Sequence, residues 1–294
     1  MKQLKGEEMK ENNNYIKSPI NYSGGKYRLL KQIMPLFPTN INTFVDLFCG
    51  AGTVGINVNA NKIISNDYIN YLPELFNTWK NKSLDEINKY IDKTIKENDL
   101  SPLNKEAFEN FRNKYNETKN IEDLFILICY SFNFQIRFNN SQKYNSSFGK
   151  EASTMNDNIR SNVNKFVTAI HNKNINFQCA DFREFDFKQL KQDDVVYCDP
   201  PYLISGAVYQ DGKRGFKGWN QQDDIDLYNI LDELNSRNVK FALSNMLESK
   251  GNKNEYLIEW SQKYNIHNLS MNYNSANYQR KASGRDVEVL ITNY

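Results

Sequence analysis

Histidine and cysteine are scarce in this chain. Of its 294 residues two are histidine (His171 and His267) and four are cysteine (Cys49, Cys129, Cys179 and Cys198), with no close pair among the cysteines. That argues against a zinc site and a disulfide framework, and fits a reducing, cytoplasmic setting. Long apolar runs are missing too. No stretch approaches the length of a membrane span, and the opening MKQLKGEEMKENNNYIK lacks the apolar centre of a signal peptide. Residues 1–17 are expected to form a disordered polar leader outside the fold. Charge of one sign is not in excess: 37 Lys and Arg face 35 Asp and Glu, a formal net charge of +2. A nucleic-acid footprint would therefore be a local basic patch. Proline is rare enough, at seven residues, that two in succession at 200–201 mark an unusual place.

Those prolines follow VVYCD (195–199). Val195, Val196 and Tyr197 suit a buried parallel strand, and Pro200–Pro201 must end it because proline offers no ladder donor. Asp199 then sits at the strand's carboxyl end, where open α/β sheets gather their chemistry. Read alone, the four residues DPPY fit either a strand-terminating turn with a solvated acid or a catalytic acid.

Upstream, TFVDLFCGAGTVGINV (43–58) reads as strand, glycine turn and helix, with Thr43 to Phe48 the strand and Thr53 the helix cap. A second strand, KIISND (62–67), ends in Asp67. This order is that of a nucleotide-binding half of a doubly wound sheet, in which glycines admit a ligand to the backbone and the acid binds ribose hydroxyls. From about Leu75 the parallel-strand signals stop, and amphipathic helical patterns take over. They resume at INFQCADF (175–182), VVYCD and VKFALSN (239–245), and the segments IHNLSMNYN and DVEVLITNY alternate like a closing hairpin. The expected architecture is α/β, a mostly parallel Rossmann-like sheet spanning 18–75 and 164–294, interrupted by a mainly helical insertion at 76–163.

Taken together, NYSGGK (21–26), DLFCGAG (46–52), ND (66–67), SFNFQIRFNN…YNSSFGK (131–150), ADF (180–182), DPPY (199–202) and EVLITNY (288–294) resemble the Dam-like family of DNA adenine-N6 methyltransferases. The resemblance runs from Ile20 to Tyr294. It implies S-adenosylmethionine as cofactor, a Rossmann-like sheet, and an insertion that recognises the target in double-stranded DNA. The Asp199 carboxylate and the Pro200 carbonyl would bind both hydrogens of adenine's exocyclic amine and turn its lone pair toward the methyl donor. Tyr202 would stack on a base swung out of the duplex. This chemistry needs neither a metal nor a covalent nucleophile, and Cys198, inside the strand, is read as a buried small hydrophobe.

The resemblance also assigns the cofactor site. Lys26 would meet the methionyl carboxylate with Tyr22 lining the same pocket; SGGK lacks the spacing of a phosphate loop. Phe48, Gly50 and Gly52 would form the turn beneath the methionine, Asp67 would bind the ribose, and Asp181 would accept from the cofactor's adenine amine beside Phe182, with Asp199 closing the site. DNA contacts fall to Asn21, Phe132, Asn133, Arg137, Asn139, Asn145, Phe148 and Lys150: Arg can pair with a guanine edge, Asn with an adenine edge, and an aromatic can wedge between base steps. Lys213, Arg214 and Lys217, interleaved with Tyr209, Phe216 and Trp219, and the basic run around Arg285 are expected on phosphates.

Two departures bear on target sequence. Many family members carry Lys-Trp where this chain has Asn21–Tyr22, and Pro where it has Ser147. In the Dam branch that lysine helps read the first guanine of GATC, so a plain GATC target is not expected. The Asn-Tyr version with DGKRGFKGW looks more like the adenine methylases that accompany asymmetric-site restriction enzymes such as FokI. A cognate restriction endonuclease encoded nearby would then be a functional partner without required contact; a phage role is the other setting. Two rivals remain: an RNA or protein methyltransferase, since D/N-P-P-Y serves amine and amide methylation generally, and a catalytically silent DNA-binding regulator on the same fold. The 131–150 block disfavours the first, and the joint presence of Lys26, Asp67, Asp181 and DPPY disfavours the second.

Overall fold

The computed structural model describes residues 15–204, 218–270 and 286–294. Within them the strands are β1 (Thr43–Asp46), β2 (Lys62–Asp67), β3 (Ile175–Cys179), β4 (Val195–Cys198), β5 (Lys240–Ser249), β6 (Asn252–Lys253), β7 (Asn265–Leu269) and β8 (Val287–Thr292). The helices are α1 (Leu30–Ile33), α2 (Tyr71–Lys80), α3 (Leu84–Glu97), α4 (Lys105–Thr118), α5 (Ile121–Tyr130), α6 (Asp157–Asn172), α7 (Gln221–Ser236) and α8 (Glu255–Ser261).

One sheet runs in the order β3-β2-β1-β4-β5-β8-β7, with β6 paired to β5. The first five strands are parallel, and β8 lies antiparallel between β5 and β7. The chain steps outward from β1 to β2 and β3, then returns to set β4 on the other side of β1. That reversal opens a crevice at the carboxyl ends of β1 and β4, the position at which open α/β sheets bind ligands.

Both faces of the sheet are covered, which explains the unbroken apolar reading of its strands. Successive residues point to opposite sides: Phe44, Ile63, Phe177, Val195 and Tyr197 join one core, and Val45, Ile64, Val196, Cys198 and Leu243 the other, beneath α7 and α8. The first core continues into the helical segment through Phe76, which meets Phe166 at 4.8 Å and Phe177 at 5.2 Å between ring centroids, and through Trp79 on Phe125 at 5.0 Å. The boundaries expected at 75/76 and 163/164 each fall inside a helix, α2 and α6. Asn77 of α2 donates to the Phe177 carbonyl of β3 at 2.9 Å, so α2 belongs to the layer flanking the sheet, and the helical segment shares that core.

Asparagine, heavily used in this sequence, starts many of the helices. Asn104, Asn120, Asn156, Asn220 and Asn254 each accept a first-turn N–H, satisfying donors that have no partner within the helix. The expected helix after the glycine turn is absent. Residues 47–61 contain only a short 3-10 turn, Gly55–Asn57, because the Asp46 carboxylate and the Asn57 side chain take up the local backbone groups. Asn57 also pins residues expected in the leader: it exchanges hydrogen bonds with the Ile16 N–H at 2.7 Å and the Ile16 carbonyl at 2.8 Å.

Candidate active site

Asp199 follows directly on β4, and Pro200 beside it is buried. The Lys26 ammonium, only 6% exposed, lies 2.8 Å from Asp199 Oδ1 and 3.7 Å from Glu288 Oε1. It is brought there by the SGGK turn, in which the Gly25 N–H bonds the Tyr22 carbonyl at 3.2 Å and Lys26 Nζ donates to the Gly24 carbonyl at 2.9 Å. The Tyr202 hydroxyl lies 3.1 Å from Asp199 Oδ1 and 3.0 Å from Glu288 Oε1, and its ring sits 5.1 Å from the ammonium. Burial pushes the Asp199 carboxyl up, against the opposing pull of Lys26 and of the Tyr202 hydrogen bond. Both donors converge on Oδ1.

At the end of β1 the chain turns through Gly50 and Gly52, both left-handed at φ +47° and +70°, a conformation that glycine adopts without strain. A Cβ on Gly50 would lie 3.0 Å from the Tyr22 ring. Gly50 donates to Asp67 Oδ2 at 2.8 Å, and Ile69 donates to Oδ1 at 2.9 Å, so Asp67 is locked to the turn at the mouth of β2. Beneath it Asp46 accepts from Gly55 at 3.0 Å through Oδ2. Its Oδ1 is buried without a partner, and burial raises the carboxyl to about 7. Gly52 packs back toward Phe166 and does not reach the cavity wall.

A cavity of about 1010 Å³ joins these parts, with Tyr22, Lys26, Phe48, Gly50, Asp67, Asp181, Phe182, Asp199, Pro200 and Tyr202 on its walls, together with Asn21. Phe48, Phe182 and Trp219 form an aromatic trio, each pair of centroids 5.4–5.6 Å apart. Trp219 was expected on a phosphate-binding loop; its ring instead packs on this wall, and its indole N–H donates to Asp224 at 2.8 Å. Asp181 accepts from the Arg183 backbone N–H at 2.9 Å, and the Arg183 guanidinium spans Asp181, Asp223 and Asp226 at 3.3, 2.5 and 2.7 Å.

The 131–150 block forms a hairpin-like arm on α4. Isolated bridges link Ser131 with Phe148 and Phe138 with Tyr144, and Asn116 of α4 bonds the Tyr144 backbone in both directions at 2.7 and 3.0 Å. Phe132, 52% exposed, projects from it, as do Asn133, Arg137 and Lys150. Two residues expected on DNA are engaged in the arm itself: Phe148 is half-buried against Phe108 at 5.4 Å, and Asn139 Oδ1 accepts from Ser141 and Lys143 of its own turn at 3.0 Å. Asn145 Oδ1 is buried with no hydrogen-bond partner among the described residues. Asn21 Nδ2 donates to the Asn133 carbonyl at 3.3 Å, tying the loop that leads into the SGGK turn to the arm. Lys213, Arg214, Lys217 and Arg285, with Tyr209 and Phe216, lie outside the described residues.

Glu288, Arg183, Asp46 and Phe134 also line the cavity, and the sequence reading gave none of them a role. Glu288 had a usable signal: it is the single charged residue in VEVLIT, a strand otherwise apolar or hydroxylic. Among the described residues no group of His, Cys, Asp and Glu is arranged to hold a metal ion, and no helix is long and apolar enough to cross a membrane.

Comparison with known proteins agrees with this geometry. The chain is 54% identical over 282 residues to the Type II methyltransferase M.FokI of Planomicrobium okeanokoites, and 46% identical over 282 residues to the modification methylase StsI of Streptococcus sanguinis. These alignments cover 96% and 95% of this chain but 43% of each relative, so it spans less than half their length. The DNA adenine methylase of Escherichia coli (strain K12) is 24% identical over 243 residues, 81% of this chain and 82% of that protein. A family model described as D12 class N6 adenine-specific DNA methyltransferase matches residues 22–275, and the chain belongs to that family.

Proposed function

We propose that this chain transfers a methyl group from S-adenosylmethionine to the N6 amine of an adenine flipped out of double-stranded DNA, at a specific sequence. The observation that carries this reading is the shared cavity: the glycine turn after β1 and the DPPY turn after β4 open into one space, with Asp199 between them.

The residues fit the cofactor. Gly50 lets the Tyr22 ring pack close against the turn as one wall of the cavity, Asp67 and Asp181 offer acceptors, and the Phe48–Phe182–Trp219 trio offers ring faces for an adenine. S-adenosylmethionine, when bound, supplies a methyl group activated on a sulfonium. Lys26 holds an anionic end of the ligand near Asp199. Asp199 Oδ2 and the Pro200 carbonyl accept the two amine hydrogens of the target base, which favours a pyramidal nitrogen with its lone pair directed at the methyl carbon. The two prolines fix that pair of acceptors before the base arrives, which is preorganisation. Tyr202 packs on the base.

Phe132, Asn133, Arg137 and Lys150 form the exposed edge of the arm that would meet the duplex, with Asn21 at its root; Lys213, Arg214 and Arg285 would add phosphate contacts. The likeness to M.FokI and to the modification methylase StsI supports a modification role, exercised in the cytoplasm beside a restriction endonuclease that need not touch this chain. The test is transfer of labelled methyl from S-adenosylmethionine to duplex DNA, RNA and protein in parallel. Label in N6-methyladenine of duplex DNA is the expected outcome. Label confined to RNA or protein, or DNA binding with no transfer, would overturn the reading in favour of the corresponding rival.

A further inference from the structure

Glu288 is 6% exposed, yet the reaction outlined above gives it no task. It sits on β8 opposite Met246 of β5 and Leu269 of β7, neither of which can neutralise it. Its polar surroundings are the Tyr202 hydroxyl at 3.0 Å and the Lys26 ammonium at 3.7 Å. Beyond these, the titratable groups among the described residues that act on Asp199 or Glu288 are Tyr197 of β4, whose hydroxyl pairs with Ser244 at 2.9 Å, its neighbour Cys198, and Asp46 of β1.

A phenol carries one proton. The Tyr202 oxygen lies 3.1 Å from Asp199 Oδ1 and 3.0 Å from Glu288 Oε1, so it can donate to only one carboxylate at a time. If it donates to Asp199, it uses acceptor strength that the target amine needs. If it donates to Glu288, Asp199 keeps that strength. We propose that Glu288 is a positioning residue for Asp199: it draws the Tyr202 hydroxyl proton to itself, fixing the tyrosine and leaving Asp199 as acceptor for the substrate amine. This rests on the reading of the site as an adenine methyltransferase. The direction of the electrostatics agrees, because the Glu288 charge raises the Asp199 carboxyl while a bond from Tyr202 lowers it.

The test reads Asp199 in the free protein, by 13C titration of aspartate carboxyls with Asp199→Asn to assign the signal. Glu288→Gln should move the Asp199 titration to lower pH, since the charge is gone and the hydroxyl turns to Asp199. Adding Tyr202→Phe to Glu288→Gln should recover part of that movement, while Tyr202→Phe alone should change it little. Glu288→Asp, which keeps the charge but draws it back from the hydroxyl, should shift Asp199 in the same direction by less, and serves if the Gln variant does not fold. In parallel, kcat should fall about tenfold or more in Glu288→Gln with KM for S-adenosylmethionine changed by less than about twofold. An unmoved Asp199 titration, or a movement that loss of the Tyr202 hydroxyl does not reverse, would overturn the proposal. If the titration behaves as described but the wild-type protein methylates no adenine, the proposed reaction fails, and with it the service to a substrate amine, while the coupling of Glu288, Tyr202 and Asp199 stands.

Discussion

Lys26 Nζ and Asp199 Oδ1 are 2.8 Å apart, so the lysine of the SGGK turn and the acid of the DPPY turn form an ion pair across the crevice, with Glu288 Oε1 3.7 Å from the same ammonium. The ammonium offsets a carboxylate that burial alone would push far up. Removing one partner of a buried pair leaves the other uncompensated, at a cost of about 3–5 kcal/mol. Lys26→Met should therefore lower stability by an amount of that order where Asp199 is ionised. The loss should shrink at acid pH, where the carboxyl takes up a proton and needs no partner. Urea unfolding at a series of pH values from 8 down to the acid limit of the fold checks this; a loss that stays equal across the series would show that Lys26 does not act through the carboxylate.

Asp46 gives a pH dependence of opposite origin. Its folded-state value of about 7 stands above the ordinary 3.8, so between those limits the native protein holds a proton that the unfolded chain has released. Stability then falls as pH rises from about 4 to 7 and levels off above, by at most about 4 kcal/mol. Asp46→Asn retains an oxygen for the Gly55 N–H and should flatten that slope, as read from melting temperature against pH. A slope unchanged in the variant would assign it to another group.

The two phenylalanines at either end of the arm should behave oppositely. Phe148 packs on Phe108, so Phe148→Ala should destabilise the fold by about 2 kcal/mol and affect DNA only through the arm's integrity. Phe132 projects into solvent, so Phe132→Ala should leave the melting temperature unchanged and weaken binding to duplex DNA. Arg137→Ala should cost about 1–3 kcal/mol of discrimination at one base pair, measured by competition among single-substituted duplexes. Uniform weakening across all duplexes would make Arg137 a phosphate contact.

Local signals made much of this fold legible. Pro200–Pro201 had to terminate β4, and KIISND gave β2 to the residue, because strand ends and proline obey rules that act within a few residues. The lone charge in VEVLIT marked Glu288 as unusual, but its partner was not legible, because it reaches Tyr202 only when β8 lies beside β5, a contact between segments far apart in the chain. The same holds for Trp219, whose basic, glycine-rich surroundings suggested a phosphate loop while its ring closes on Phe48 and Phe182. The run of helices α2–α6 between β2 and β3 was visible as a change of periodicity. A clean division from the sheet was not, because Phe76 of α2 and Phe166 of α6 join one core with the sheet residue Phe177.

Under the proposed function, Asn21 would bear on the target sequence. Its side-chain amide donates to the Asn133 carbonyl and carries no charge with which to bind a guanine edge as a lysine would. The methylated site should contain guanine near the target adenine, through Arg137, but should not be plain GATC. Asn21→Lys should then increase methylation of GATC relative to the wild-type site, measured on matched duplexes; no change in that ratio would remove Asn21 from target choice.

The account stands most directly on Asp199. The deciding measurement is single-molecule sequencing of DNA from a host without its own adenine methylation, expressing either the wild-type chain or Asp199→Ala, with folding and duplex binding of both proteins verified. The account predicts N6-methyladenine at one short guanine-containing sequence in the wild-type host and none in the Asp199→Ala host, with duplex binding retained. No N6-methyladenine from the folded wild-type protein, or equal methylation from the two, would contradict it.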